Sequence, residues 1–145
     1  MWISRIPVPV EINASAHADD DFSKNKSIAE LTDWNIYSPV WAPVSLEDQW
    51  LKLQDKDPFD YAKVERKIPA SKELKVSFDL KAGQNNKGTL QIEFLDENGI
   101  ACSRIELTDD GIFRLKGGSR FANMMKYEAG KVYHVEAVLS TVDRN

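Results

Sequence analysis

Trp34, Tyr37, Trp41, Trp50, Phe59 and Tyr61 fall within a short stretch of this 145-residue chain. Sugars stack their apolar C–H faces on exposed aromatic rings, so Trp34, Tyr37, Trp41, Trp50 and Tyr61 are candidate carbohydrate contacts. The competing role is packing, which takes up most large aromatic side chains. Asp55, Asp57 and Asp60 share the same stretch. Carboxylates at this spacing can ligate calcium through hard oxygen atoms. The glycine of a calcium loop is missing, which favours a solvated acidic turn. Asp19, Asp20 and Asp21 form a second acidic run. Consecutive side chains on an extended chain diverge, so this run reads as a solubilising loop.

Other chemistries find little support. His17 and His134 are the only histidines, and neither has a Cys or His at zinc-ligand spacing. No glycine-flanked nucleophile elbow accompanies any Ser–His–Asp set. No glycine loop of the phosphate-cradling kind is present. Glu93 and Glu106 should face outward from neighbouring strands, and paired carboxylates on a sheet can hydrolyse glycosides. They alternate with Lys and Arg, which favours cross-strand ion pairs instead. Cys102 reads as a small, half-buried filler.

These side chains must be carried by strands. Leu74, Val76, Phe78 and Leu80 alternate with Lys75, Ser77 and Asp79. Leu90, Ile92 and Phe94 alternate with Gln91 and Glu93. Ser103, Ile105 and Leu107 alternate with Arg104, Glu106 and Thr108. Successive strand side chains point to opposite faces, so each run has one apolar and one wet face. Sheets of this kind must stack to hide the apolar faces, which predicts an all-β, antiparallel β-sandwich.

Further strands are expected at 31–44 (irregular, bent at Pro39 and Pro43), 50–54, 61–68, 112–115 and 131–141. Ala62, Val64 and Ile68 should point inward. Gly83–Gly88, Asp96–Gly99 and Asp109–Gly111 are turns, Asn98-Gly99 being the strongest short turn signal. Residues 117–130 read as a looser stretch between glycines. Residues 45–50 could form one helical turn at most. Residues 1–16, with Pro7 and Pro9, read as an extended linker from a preceding domain, and 17–145 as the sandwich domain. The last strand runs into a turn-like Ser140–Asn145, so the domain is expected to be incomplete at the C-terminus. Its unfinished edge would invite association.

Composition narrows the partners. Hydrophobic residues make up 42% and charged residues 29%, the balance of a globular chain with room for one core. The net charge is -4, with both signs interleaved along the strands and no basic block, which argues against nucleic acid or an anionic membrane. One cysteine excludes an internal disulfide, and no apolar run has the length of a membrane span. The first five residues lack the basic-then-apolar layout of a signal peptide. Asn13-Ala14-Ser15 and Asn25-Lys26-Ser27 are glycosylation sequons of a kind that recurs by chance.

Three segments carry a family resemblance. They are Trp2-Ile3-Ser4-Arg5-Ile6-Pro7-Val8-Pro9-Val10, Asp33-Trp34-Asn35-Ile36-Tyr37-Ser38-Pro39-Val40-Trp41-Ala42-Pro43-Val44, and Leu53-Gln54-Asp55-Lys56-Asp57-Pro58-Phe59-Asp60-Tyr61-Ala62. Together they resemble the C-terminal region of large Bacteroidetes proteins with a sialidase-like (BNR-type) β-propeller. There the first segment closes the propeller region, and a concanavalin A-like jelly-roll module follows. The resemblance implies a jelly-roll or laminin-G-like sandwich in a polysaccharide-degrading glycoside hydrolase or polysaccharide lyase. It implies a periplasmic, secreted or cell-surface location and a polysaccharide or oligosaccharide partner. It also implies intramolecular contact with the propeller, for which Trp2, Arg5 and Ile6 are the interface candidates, with Trp41 beside them. It transfers no catalytic residue.

The leading expectation is therefore a non-catalytic accessory module, carbohydrate-binding in character, without a cofactor unless calcium sits at Asp55, Asp57 and Asp60. The alternatives are a jelly-roll domain that is itself a glycosidase or lyase, and a purely structural spacer.

Overall fold

The computed structural model describes residues 18–140. Trp2, Arg5, Ile6 and His17 lie outside the described residues, as does the expected linker 1–16. The chain divides into two compact units, one ending at Pro69 and the other beginning at Ala70.

In the first unit, two 3-10 turns, Phe22–Lys24 and Ile28–Glu30, precede four short strands. Strand β1 (Trp34–Tyr37) pairs antiparallel with β4 (Lys63–Arg66), and β2 (Val44–Glu47) with β3 (Trp50–Leu53). The single bent strand expected over 31–44 is two strands. Pro39 and Pro43 lack the N–H groups a ladder needs, and the chain turns between them, with Ala42 N–H donating to Pro39 O at 3.1 Å. Residues 45–50 form no helical turn. Asp48 and Gln49 both take positive φ, 50° and 69°, and close a two-residue hairpin between β2 and β3. Ile68, expected inward, is exposed. Arg66 binds Asp20 at 2.9 Å and Asp33 at 3.6 Å, so part of the acidic run has a structural partner.

The second unit is a pair of antiparallel sheets. Strands β5 (Glu73–Lys81) and β10 (Val132–Ser140) form one. Strands β6 (Leu90–Leu95), β7 (Ala101–Leu107), β8 (Ile112–Gly117) and β9 (Arg120–Lys126) form the other, in sequential order. Inward residues of both sheets, among them Phe78, Leu80, Tyr133 and Val135 from one and Leu90, Ile92, Ile105, Leu107 and Phe113 from the other, meet in one core with Tyr127. This is the sandwich that the alternation predicts. Burial along β5 and β10 alternates residue by residue, the signature of one buried and one wet face.

Cover thins across the four-stranded sheet. Ile105 is 5% exposed, but Leu115 opposite it on β8 is 43% exposed. Strand β9 occupies part of the stretch expected to be loose, and every one of its residues is exposed. A register shift between Phe113 and Arg114 breaks the alternation there. Cys102 is exposed rather than half-buried. Gly111 turns at φ +80°, and a Cβ there would lie 3.2 Å from the Asn85 carbonyl oxygen, so only glycine fits this turn without strain.

On the wet face of the two-stranded sheet, His134 Nδ1 lies 2.8 Å from Asp79 Oδ1, its register partner. The hydrogen bond to Asp79 raises the imidazole above its ordinary 6.5. A raised folded-state pKa means the contribution is fully present below about pH 6.5 and is lost as pH rises through the folded value. The difference in melting temperature between the chain and its His134→Gln variant should therefore shrink from pH 5.5 to pH 8. A pH-independent difference would show that the pair carries no charge-linked stability.

Candidate functional site

The site grows from the β1–β4 ribbon. Tyr37 closes β1, opposite Lys63 on β4, and Asp60 and Tyr61 lie just before β4. Pairing of two short strands thus brings residues far apart in sequence to one corner. The Tyr37 hydroxyl lies 3.1 Å from each Asp60 carboxylate oxygen, and the Tyr61 N–H donates to Asp60 Oδ1 at 2.9 Å. The Tyr37 and Tyr61 rings are 5.7 Å apart and tilted by 52°. Both rings keep more than a third of their surface exposed. The hydrogen bond to Asp60 raises the Tyr37 phenol above its usual 10.0, so it stays a protonated donor at neutral pH.

Two loops adjoin these residues in the chain. The bend 38–43 carries Trp41, which is 68% exposed, and the loop 54–60 carries Phe59, which is 96% exposed. The loops are tied side by side: Gln54 N–H donates to Pro43 O and Lys56 N–H to Trp41 O, both at 3.0 Å. Asp55 Oδ1 accepts from Asp57 N–H and Asp57 Oδ1 from Phe59 N–H, each at 2.9 Å. These side chains shape the loop and do not converge with Asp60. Among the described residues no three His, Cys, Asp or Glu side chains gather at metal spacing. Each of the three carboxylates, Asp55, Asp57 and Asp60, serves a turn or a tyrosine here.

Trp34 and Trp50 are half-buried. The Trp34 ring packs 5.8 Å from Phe22, and it lines a cavity of about 250 Å³ with Asp21, Lys24 and Asp33. Of the five aromatic candidates, Tyr37, Trp41 and Tyr61 are exposed and Trp34 and Trp50 half-buried.

On the outer face of the four-stranded sheet, Arg104 Nε donates to Glu93 at 2.8 Å. Glu106 lies 3.4 Å from Arg104 Nη1 and 3.9 Å from Arg114 Nη1, and it is buried among them. These are the cross-strand ion pairs that charge alternation predicts. Both carboxylates are thus held by guanidinium groups.

Comparison with known proteins adds the family. Residues 34–145 match the family described as Sialidase-like, CBM domain. A solved structure named "Sialidase" is 88% identical with a TM-score of 0.87, over 100% of this chain and 13% of that one. This chain thus spans about an eighth of that protein's length. No curated protein matches. The matched span begins at Trp34 and takes in the whole tyrosine corner and both sheets of the second unit. The chain belongs to the sialidase-like CBM domain family.

Proposed function

We propose that this chain is the non-catalytic, carbohydrate-binding accessory module of a larger sialidase-like enzyme that degrades polysaccharide. The observation that carries the reading is the exposed Tyr37–Tyr61 pair, oriented by Asp60, within a CBM-type family. Tilted rings offer C–H-accepting faces, and a fixed carboxylate beside them can accept a sugar hydroxyl. Polysaccharides are too large to cross a membrane unaided, which favours a periplasmic, secreted or cell-surface enzyme. Contact with a propeller through Trp2, Arg5 and Ile6, and a jelly-roll connection of the strands, belong to the same proposal and rest on the sequence resemblance. Glycoside hydrolysis by the parent fits the sialidase relative more directly than lysis does.

The test is titration of the chain with neutral and acidic polysaccharides, followed by calorimetry. The intact chain should bind without turning its ligand over. Tyr61→Ala should weaken binding of a neutral glycan by about fivefold, the effect of losing about 1 kcal/mol of ring contact. Absence of binding to every glycan would leave a structural spacer. Release of reducing sugar by the chain alone would make it an enzyme.

A further inference from the structure

We propose that the β8–β9 hairpin is a second glycan-binding surface, built for a polysaccharide that carries carboxylates. The proposal rests on the carbohydrate-binding reading and adds a ligand class and a separate site. Charge interleaving, which holds along β5 and β7, fails here. Residues 112–126 contain Arg114, Lys116, Arg120 and Lys126 and not one Asp or Glu, in a chain of net charge -4. No ion-pair partner for Lys116, Arg120 or Lys126 occurs among the described residues. Every residue of β9 is exposed, including Phe121 at 63%.

Arg114 is held for recognition. Its guanidinium carbon lies 5.0 Å from the Phe121 ring centroid, and its Nε donates to Asn123 Oδ1 at 3.0 Å. On its other side Glu106 approaches Nη1 only to 3.9 Å, beyond hydrogen-bond reach. The planar fork is therefore oriented at two points while its terminal nitrogens keep donors for a ligand. A fork so placed matches a carboxylate with two parallel hydrogen bonds. Lys116 sits opposite Phe121 in the register and adds a second cation next to the ring. Phe121 supplies the apolar surface on which a sugar ring can lie. Strands rather than loops carry all four groups, which keeps their spacing fixed. A neutral glycan would gain little from the charges of Arg114, Lys116 and Lys126, whereas a uronate chain brings one carboxylate per acidic sugar.

The experiment compares polygalacturonate, dextran sulfate, neutral galactan, a DNA oligonucleotide and anionic phospholipid vesicles as ligands of the intact chain. Polygalacturonate should bind, weakening as salt rises from about 50 to about 300 mM. Arg114→Gln with Lys116→Gln should weaken it about tenfold, while Val138→Ala, at an exposed position on β10 outside both surfaces, leaves it unchanged. Because Arg114 also bonds Asn123, a second variant, Lys116→Gln with Lys126→Gln, removes only cations without an ion-pair partner among the described residues and should produce a loss of similar size. Circular dichroism confirms that each variant is folded. Binding of galactan without polygalacturonate would overturn this inference and leave the Tyr37–Tyr61 reading standing. So would polygalacturonate affinity that both cation variants retain. Dextran sulfate, DNA or vesicles binding as tightly as polygalacturonate would also overturn it, showing an unspecific anion surface.

Discussion

Replacing Leu107 with alanine is expected to destabilise the 70–140 unit by about 3 kcal/mol, within the 2–5 kcal/mol span of buried leucine truncations. Leu107 is 2% exposed and lies on β7, between Leu90 of β6 and Phe113 of β8 in the ladder. Removing its three outer carbons forfeits their transfer free energy and leaves a void. Closing the void would need β6 or β8 to shift, and each is pinned to β7 by backbone hydrogen bonds, so relaxation is small. The effect is a large fraction of the whole, because a domain of this size is stable by only about 5–15 kcal/mol. Hydrogen exchange of the β5 and β10 amides is the appropriate probe. Among the described residues every tryptophan, Trp34, Trp41 and Trp50, lies in the unit that ends at Pro69, so tryptophan fluorescence is not the probe of choice. Val138→Ala, on a side chain that faces solvent, serves as control and should cost less than about 1 kcal/mol. Faster exchange in β6 and β7 alone, with β5 and β10 unchanged, would show that the two sheets do not share this core.

The sandwich was legible where one face of a strand is buried and the other wet. Strand β5 shows this best: Leu74, Val76, Phe78 and Leu80 face inward and their neighbours face solvent, as their side-chain types require. Strand β9 was not legible, because burial on neither face selects its residues. The sequence Arg-Phe-Ala-Asn-Met-Met-Lys has no period to find, and the bulge opposite Phe113 and Arg114 would break one. The β2–β3 hairpin was hidden for a different reason. Its two left-handed residues are Asp48 and Gln49, neither of them the glycine that announces such a turn. In the candidate site, the aromatic composition was visible but its sorting was not. Tyr37 meets Asp60 and Tyr61 only because β1 pairs with β4, a choice no local pattern encodes. The acidic spacing around Asp55 suggested a cation, yet the same short side chains are turn formers, and the backbone N–H groups take them. The cationic hairpin could have been found by counting charge segment by segment, since Ile112–Lys126 lacks any acid.

Tyr127 should separate packing from hydrogen bonding within the same core. It is 4% exposed and follows β9, and its hydroxyl donates to the Thr108 carbonyl oxygen at 2.7 Å. Its own N–H donates to Gly111 O at 2.9 Å, so the residue clamps the β7–β8 turn at two points. Tyr127→Phe keeps the ring and leaves Thr108 O, which sits on a buried residue, without that donor. The expected cost is about 1–2 kcal/mol. Tyr127→Ala also empties the space of the ring, and the expected cost rises to about 3–5 kcal/mol. A pH series gives an independent readout. Burial, with the charges of Asp109 and Asp110 behind it, raises the phenol above its usual 10.0. Folding therefore favours the neutral phenol. Its contribution is fully present below about pH 10 and is lost as pH rises through the folded value. Urea titrations of the parent chain should fall more steeply with pH above 10 than those of Tyr127→Phe. If the two slopes coincide, the hydroxyl is not held as the structure places it. If Phe and Ala instead cost the same, the hydrogen bond alone fastens the turn and the ring contributes nothing to the core.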